Sequence, residues 1–262
     1  MNDIPIENGE PVLKSEVKGG VLVVVLNRPA AKNAFNLALA RALSDTLDFF
    51  DSDAQLRVAV IAGAGKTFSS GADLKALLAG ERPHTETRGG FGIMKRPPDK
   101  PLIAAVEGYA VAGGFELALC ADLIVAASDA KFGLPEVKRG LVAVGGALFR
   151  LPRRIPYHLA MEMALGGDTV SAQRMLEVGL VNRLVEPDSA QPAALDLAHK
   201  IAENAPLSLR ATKQIISRSH EWTDEVSWTE QRRYAERALR SSDAKEGPRA
   251  FAEKRQPVWK GE

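Results

Sequence analysis

Pro101-Leu-Ile-Ala-Ala-Val-Glu-Gly-Tyr-Ala-Val-Ala-Gly-Gly-Phe-Glu-Leu-Ala-Leu-Cys-Ala-Asp122 opens with an apolar run, Leu102 to Val106, short enough to be a buried strand. Gly108 breaks the run, and Gly113-Gly114 precede the helix-favouring Phe115 to Cys120. The order is strand, tight turn, helix. Glycines at a helix start leave its unpaired amides open to a close visitor, and the positive end of the helix dipole favours an oxygen gaining negative charge there. Glu116 falls one turn inside the helix and faces the same opening. A carboxylate beside a backbone oxyanion site suits carbonyl chemistry with a proton transfer.

Toward the N terminus, Gly63-Ala-Gly-Lys-Thr-Phe-Ser-Ser-Gly-Ala-Asp-Leu-Lys75 invites two nucleotide-binding readings, and both fail by residue identity. A dinucleotide fingerprint would need glycine where Phe68 stands, and a P-loop would need glycine at Val60. What remains is a glycine-rich loop with Gly71-Ala72-Asp73-Leu74 opening a short helix, Asp73 in the first turn where an acid is favoured. Two helix starts, at Ala72 and Gly113, could thus aim amides at one oxygen. Arg57 to Ala62 ahead of this loop is a buried strand. Before it, Ala40, Leu43, Leu47 and Phe50 recur at helical spacing, with Asn33 or Asn36 as the cap. Strand, helix, strand makes a βα crossover. Val12 to Val17 and Val21 to Leu26, separated by Lys18-Gly19-Gly20, signal a hairpin whose second strand is apolar on both faces. Between Gly80 and Lys100, glycine, proline and basic residues with scattered Phe91, Ile93 and Met94 predict a mobile loop or lid. Its basic side chains are expected to be solvated, the alternative being phosphate contact from Lys95 or Arg96.

Toward the C terminus, Leu123 to Ala127 predicts another strand, and Lys131-Phe-Gly-Leu-Pro-Glu136 an extended piece entering a turn with Glu136 at its start. Pro156 to Leu165 and Ser171 to Val178 predict helices, and Leu180 to Val185 a last strand. After Pro187 strand signals vanish. Ala193 to Ala205, Leu207 to Ser219, Asp224 to Leu239 and Ala244 to Ala252 are helical patterns that cannot enclose a core alone, so they must pack on the strand-bearing part or on another subunit.

Composition removes whole classes. The chain has 262 residues, 45% hydrophobic and 26% charged, enough for one large domain or a domain with a helical appendage. With 34 Lys plus Arg against 33 Asp plus Glu, no net field draws it to nucleic acid or an anionic membrane. Basic pairs such as Arg153-Arg154 and Arg232-Arg233 are expected to meet local acids or another subunit. The one cysteine, Cys120, lies on an apolar helix face and reads as a buried inert thiol in a reducing compartment. Met1 to Pro11 lacks a signal-peptide pattern and no run approaches a membrane span, so the cytoplasm is expected. The four histidines, His84, His158, His199 and His220, have no metal-ligand spacing, and no metal is predicted. No Gly-x-Ser-x-Gly elbow supports serine hydrolysis.

Leu26-Asn-Arg-Pro29 with Asn33-Ala34, Phe68-Ser-Ser-Gly-Ala-Asp-Leu74, Gly108-Tyr-Ala-Val-Ala-Gly-Gly-Phe-Glu116 with Ala121-Asp122, and Phe132-Gly-Leu-Pro-Glu136 together resemble the crotonase, or enoyl-CoA hydratase and isomerase, family. Matches continue to Phe251-Ala-Glu-Lys-Arg255, so the likeness spans nearly the whole chain. The resemblance implies an α/β fold, a spiral core of repeated ββα units over residues 1–190. It also implies a C-terminal helical region, 191–262, for trimerisation and for covering the active site, and trimers that pair into hexamers. It implies an acyl-CoA substrate whose thioester carbonyl meets the backbone NH groups of Ala72 and Gly113. Ser70, Ala72, Asp73, Leu74 and Lys75 would line the CoA side with Gly113, while Phe251 and Lys254 would reach the nucleotide of a neighbouring subunit. No cofactor is implied beyond the CoA on the substrate.

The resemblance further implies which chemistry to expect. Hydration needs a water held against the β-carbon and a proton delivered to the α-carbon, which two carboxylates can manage. Glu136 matches the acid that protonates the α-carbon and Glu116 the residue that activates water. An isomerase could keep the Glu136 position alone, so the pair points to a hydratase of fatty acyl-CoA metabolism. Isomerisation, dehydration of a branched, steroid or carnitine-type thioester, and a non-catalytic acyl-CoA-binding role are the alternatives. Two departures stand out: Ala143-Val144 where Pro-Gly is common, with Leu148-Phe149-Arg150 for Thr-Gln-Arg, which is expected to reshape the acyl pocket; and Ala112 for a third glycine, expected to add only a methyl.

Overall fold

The run Val21 to Leu26 lies inside a sheet, as its lack of a polar face requires. The structure, a computed structural model that describes residues 4–262, begins with the ribbon β1 (Ile6–Glu7) and β2 (Glu10–Pro11). Met1 to Asp3, part of the stretch expected to carry no leader, lie outside the described residues. β3 (Leu13–Lys18) and β4 (Val21–Leu26) then form the expected antiparallel hairpin across Gly19-Gly20. Asn36 caps α1 (Leu37–Ser52), its side chain accepting from the Leu39 amide, and Ala40, Leu43, Leu47 and Phe50 are buried as their spacing predicts. β5 (Val58–Gly63) returns parallel to β4, completing the crossover. Asp73 caps the short α2 (Leu74–Leu78).

The 80–100 segment departs from expectation. It holds a small hairpin, β6 (His84–Thr85) and β7 (Gly89–Gly90), and it is packed rather than a solvated lid. Arg88 is fully buried: its Nε donates to Asp48 at 3.0 Å, one terminal nitrogen donates to Asp51 at 2.6 Å, and the other donates to the Arg96 carbonyl at 3.0 Å. Ile93 is buried and Phe91 stacks on Phe35 with ring centroids 4.2 Å apart. The polar composition concealed a basic residue that turns inward because two carboxylates of α1 meet it there. Arg96 pairs with Asp48 rather than facing the cavity described below.

β8 (Leu102–Val106) is the strand expected at the centre of the chain, and β9 (Tyr109–Val111) follows it where only a turn was predicted. α3 (Gly113–Ala118) starts at the glycine pair; β10 (Leu123–Ala127) and β11 (Lys131–Gly133) come next, then a 3-10 turn over Pro135–Arg139. α4 (Ala147–Arg150), α5 (Tyr157–Gly166), β12 (Thr169–Ser171), α6 (Ala172–Glu177) and β13 (Arg183–Val185) complete the mixed part. The main sheet runs β13-β10-β8-β5-β4-β3, parallel except for the last pair, and a second sheet runs β12-β11-β9.

Alternation along β4 divides the interior. Leu22, Val24 and Leu26 point into the larger core with α1, while Val21 and Val23 point to the other face, where Ala190, Ala194, Ala198 and Ala202 of α7 (Ala190–Ala202) pack. Alanines four apart let this helix lie close to the sheet. α8 (Pro206–Arg218), α9 (Asp224–Leu239) and α10 (Asp243–Ala252) finish the helical tail. Among the described residues, no helix is long and apolar enough to cross a membrane.

Candidate active site

Hydrogen bonds between distant segments bring the two proposed amide donors together. Ser69 N donates to Tyr109 O at 3.1 Å and Val111 N donates to Ser69 O at 3.2 Å, stitching β9 to the segment before Ala72. On the other side, Phe35 N donates to Gly71 O at 2.8 Å and Asp73 N to Phe35 O at 2.9 Å. That bridge uses the Gly71 carbonyl and the Asp73 amide on either side of Ala72 and leaves the Ala72 N–H out. Gly113, first residue of α3, has no carbonyl one turn earlier for its amide. The two backbones nearly touch: a Cβ on Gly71, which has φ +96°, would stand 2.9 Å from Gly113 N. Only glycine permits that approach.

Ala112 is the strained link. Its φ of 52° with ψ of −132° is a conformation L-residues rarely adopt, so the methyl expected to matter little sits where a glycine would rest without strain. The strain lies immediately before Gly113, in the turn that aims its amide.

Glu116 is buried, 5% exposed, and its Oε1 accepts from Ala147 N at 3.1 Å. Burial raises its pKa above the ordinary carboxylate value, opposed by the amides of Ala147, Gly145 and Gly146 and by the Arg150 guanidinium. The cradle is tight: a Cβ on Gly145 would lie 2.4 Å from Met94 Sδ and 2.5 Å from Glu116 Oε2. Arg150 holds the cradle shut, donating to the Gly145 carbonyl at 3.0 Å and the Met94 carbonyl at 2.6 Å. Glu136 opens the 3-10 turn with far less support. Burial raises its pKa, and the neighbouring Glu116 charge raises it further against its own backbone amide. Its Oε2 is buried without a hydrogen-bond partner.

Ala72, Gly113, Glu116 and Glu136 all face one cavity of about 1420 Å³. Its lining includes a basic group, Lys32, Lys75 and Arg82 with Ser70, suited to phosphates though Glu7 and Glu10 also border the cavity, and an apolar group, Leu141, Val142, Val144 and Phe149, on the segment that follows Glu136. Asp73 and Leu74 also line it. The Asp73 carboxylate is engaged, however: it accepts from the Lys75 and Ala76 amides at 3.0 and 3.3 Å and from Arg28 at 2.9 Å. Although burial opposes it, these partners hold the Asp73 pKa below the ordinary range. Lys95 and His84 border the cavity too. Phe251, 88% exposed on α10, and Lys254 lie outside the lining residues of the same chain. Cys120 is buried, its thiol donating to the Glu116 carbonyl at 3.3 Å.

Several supporting residues escaped the sequence reading. Arg28, bound to Glu7 and Asp73, and Asn33, whose amide nitrogen donates to the Ala64 and Thr67 carbonyls, hold the Ala72 segment. Phe91 lies so near Gly113 that a Cβ there would stand 2.6 Å from its ring. The one signal for Arg28 and Asn33 was their place in the motif Leu26-Asn-Arg-Pro29 with Asn33-Ala34.

Residues 16–262 match the family model described as enoyl-CoA hydratase/isomerase. A carnitinyl-CoA dehydratase of Proteus mirabilis is 42% identical over 252 residues, covering 93% of this chain and 96% of that protein. The crystal structure of an enoyl-CoA hydratase from Mycobacterium tuberculosis superimposes with a TM-score of 0.94 at 54% identity, over 97% of this chain and 100% of that one. That of a carnitinyl-CoA hydratase from Mycobacterium avium gives 0.77 at 43% identity, over 96% and 99%.

Proposed function

The chain belongs to the enoyl-CoA hydratase/isomerase family, and from that premise we propose a hydro-lyase that adds water across the 2,3 double bond of a trans-2-enoyl-CoA and, in reverse, removes it. The amides of Ala72 and Gly113 hold the thioester oxygen as it gains enolate charge. Glu116, whose amide cradle and Arg150 oppose the effect of burial, takes a proton from the water whose oxygen bonds to the β-carbon. Glu136, whose pKa burial and the Glu116 charge raise, gives a proton to the α-carbon. In the reverse direction the roles exchange.

The observation that carries this reading is the orphaned Glu136 Oε2, buried beside Glu116 in the cavity that also holds both amides. Substrate and water supply its missing partner. Glu136→Gln keeps the shape and removes the proton, so hydration of but-2-enoyl-CoA should fall by about 100- to 10 000-fold. Near wild-type turnover would defeat the assignment.

CoA phosphates fit Lys32, Ser70 and Lys75 on the cavity lining, and no cofactor beyond the substrate's CoA enters this scheme. Exposed Phe251 and Lys254 suit the nucleotide of a neighbouring subunit, with residues 1–190 as the catalytic core and 191–262 as the region that joins three chains or two such trimers. We place this activity in the cytoplasm, in fatty acyl-CoA metabolism. A second reading, dehydration of a carnitine-type thioester, draws on the Proteus relative.

A further inference from the structure

The two readings differ in one physical respect, the charge on the acyl chain. A carnitine-type thioester carries a trimethylammonium on the carbon after the one that receives water. An ordinary enoyl chain is neutral there. Proteins hold quaternary ammonium groups on the open faces of aromatic rings or beside unspent carboxylates. Along the Leu141–Phe149 wall neither is free, and Glu136, whose Oε2 has no hydrogen-bond partner among the described residues, is a carboxyl that burial and the Glu116 charge dispose toward its neutral form. Of the two phenyl rings on the cavity lining, Phe91 has one face stacked on Phe35, and Phe149 already has the Arg150 guanidinium 5.1 Å and the Arg153 guanidinium 5.8 Å from its centroid. The Glu116 carboxylate is matched by Ala147 N and by Arg150. Arg139, three residues past Glu136 on the same 3-10 turn, borders the cavity, donates to the Lys138 carbonyl, and has no carboxylate partner among the described residues. The remaining wall is aliphatic and wet: Leu141, Val142 and Val144 are 51%, 63% and 87% exposed. A neutral chain laid on them removes apolar surface from water, whereas a cation gains nothing from them and faces the Arg139 guanidinium on the cavity wall, with those of Arg150 and Arg153 stacked on Phe149.

We propose that the Leu141–Phe149 wall with Arg139 selects uncharged, apolar acyl chains and rejects a trimethylammonium group, so that this chain parts in substrate from its carnitinyl-CoA relatives. The inference rests on the acyl-CoA reading above and assigns Arg139 and Phe149 as specificity-determining residues for it.

The test uses a pair of saturated, unreactive thioesters of one shape, 5,5-dimethylhexanoyl-CoA and 4-(trimethylammonio)butanoyl-CoA, titrated into the intact protein by calorimetry. Carbon replaces nitrogen, so the two differ in charge alone. The neutral thioester should bind at least tenfold more tightly, and Arg139→Gln should narrow that ratio at least threefold through tighter binding of the cation. A wild-type preference under tenfold, or one for the cation, overturns the proposal while leaving the hydro-lyase reading standing. Failure of the folded protein to bind either thioester defeats the acyl-CoA reading and this inference with it. A ratio untouched by Arg139→Gln removes Arg139 from the assignment.

Discussion

Glu116 and Glu136 share a cavity in unequal surroundings, and their titration carries consequences for both rate and stability. Each pKa is raised from 4.5 chiefly by burial. A carboxyl with a raised folded pKa keeps its proton in the native state after the unfolded chain has lost it. Its stabilising share is complete below the ordinary value, declines as pH climbs from there to the raised value, and stays lost above. Glu136→Gln should therefore match wild type in urea midpoint near pH 4 and exceed it at pH 8, while losing activity; an equal midpoint at pH 8 would mean the carboxyl is not strained by burial. In the proposed scheme, with one carboxyl as base and the other as acid, the two limbs of the wild-type rate profile belong to the pair rather than to either residue. Ala112 makes a second prediction at this scale. Its left-handed φ stores about 1–3 kcal/mol, and glycine gives back about 0.5–1 kcal/mol in chain entropy. Ala112→Gly should raise stability by about 1 kcal/mol, read from the denaturation midpoint, and a loss of stability would show that the methyl is needed.

At the scale of elements, the 143–150 segment sets where the Glu116 carboxylate stands. Gly145→Ala would drive a methyl to within 2.4 Å of Met94 Sδ and 2.5 Å of Glu116 Oε2, so one of them must move. kcat should fall by about 10- to 100-fold with KM changing less, since a carboxylate displaced by an ångström loses alignment rather than binding. Unaltered kcat would show that the cradle tolerates the shift. Long or strongly apolar elements were legible in the sequence. β8 and β10 begin and end where their apolar runs do, and α9 spans Asp224 to Leu239 as its pattern predicted. β9 and β12, three residues each, were not, because their pairing with β11 is decided by contacts far along the chain. The β6–β7 hairpin was misread for the same reason: Arg88 lies among glycines and prolines, and the acids that draw it inward stand 37 and 40 residues earlier. The site divides likewise. The glycine pair and Glu116 could be read from local pattern, Glu136 gained a role through family likeness, and the amides that cradle Glu116 came into view with the folded chain.

Across the whole molecule, the main sheet is covered on one face by α1 and the second sheet's core and on the other by the alanine stripe of α7, leaving α9 with Ala238 as its buried residue. Trp228, Leu239 and Phe251 are 72%, 69% and 88% exposed on the last two helices. Burying that surface between copies is the reason to expect a mass of three or six chains in sedimentation; a monomer at micromolar concentration would remove the proposed role of residues 191–262. The architecture nonetheless brings the β9–α3 turn against the loop before α2, and the proposed chemistry puts one thioester oxygen between them. A crystal structure with a saturated, unreactive acyl-CoA such as butanoyl-CoA tests that most directly. The thioester oxygen should lie about 2.7–3.1 Å from both Ala72 N and Gly113 N, with the α- and β-carbons between Glu116 and Glu136. A carbonyl turned from either amide, or an acyl chain seated away from the two glutamates, would contradict the account.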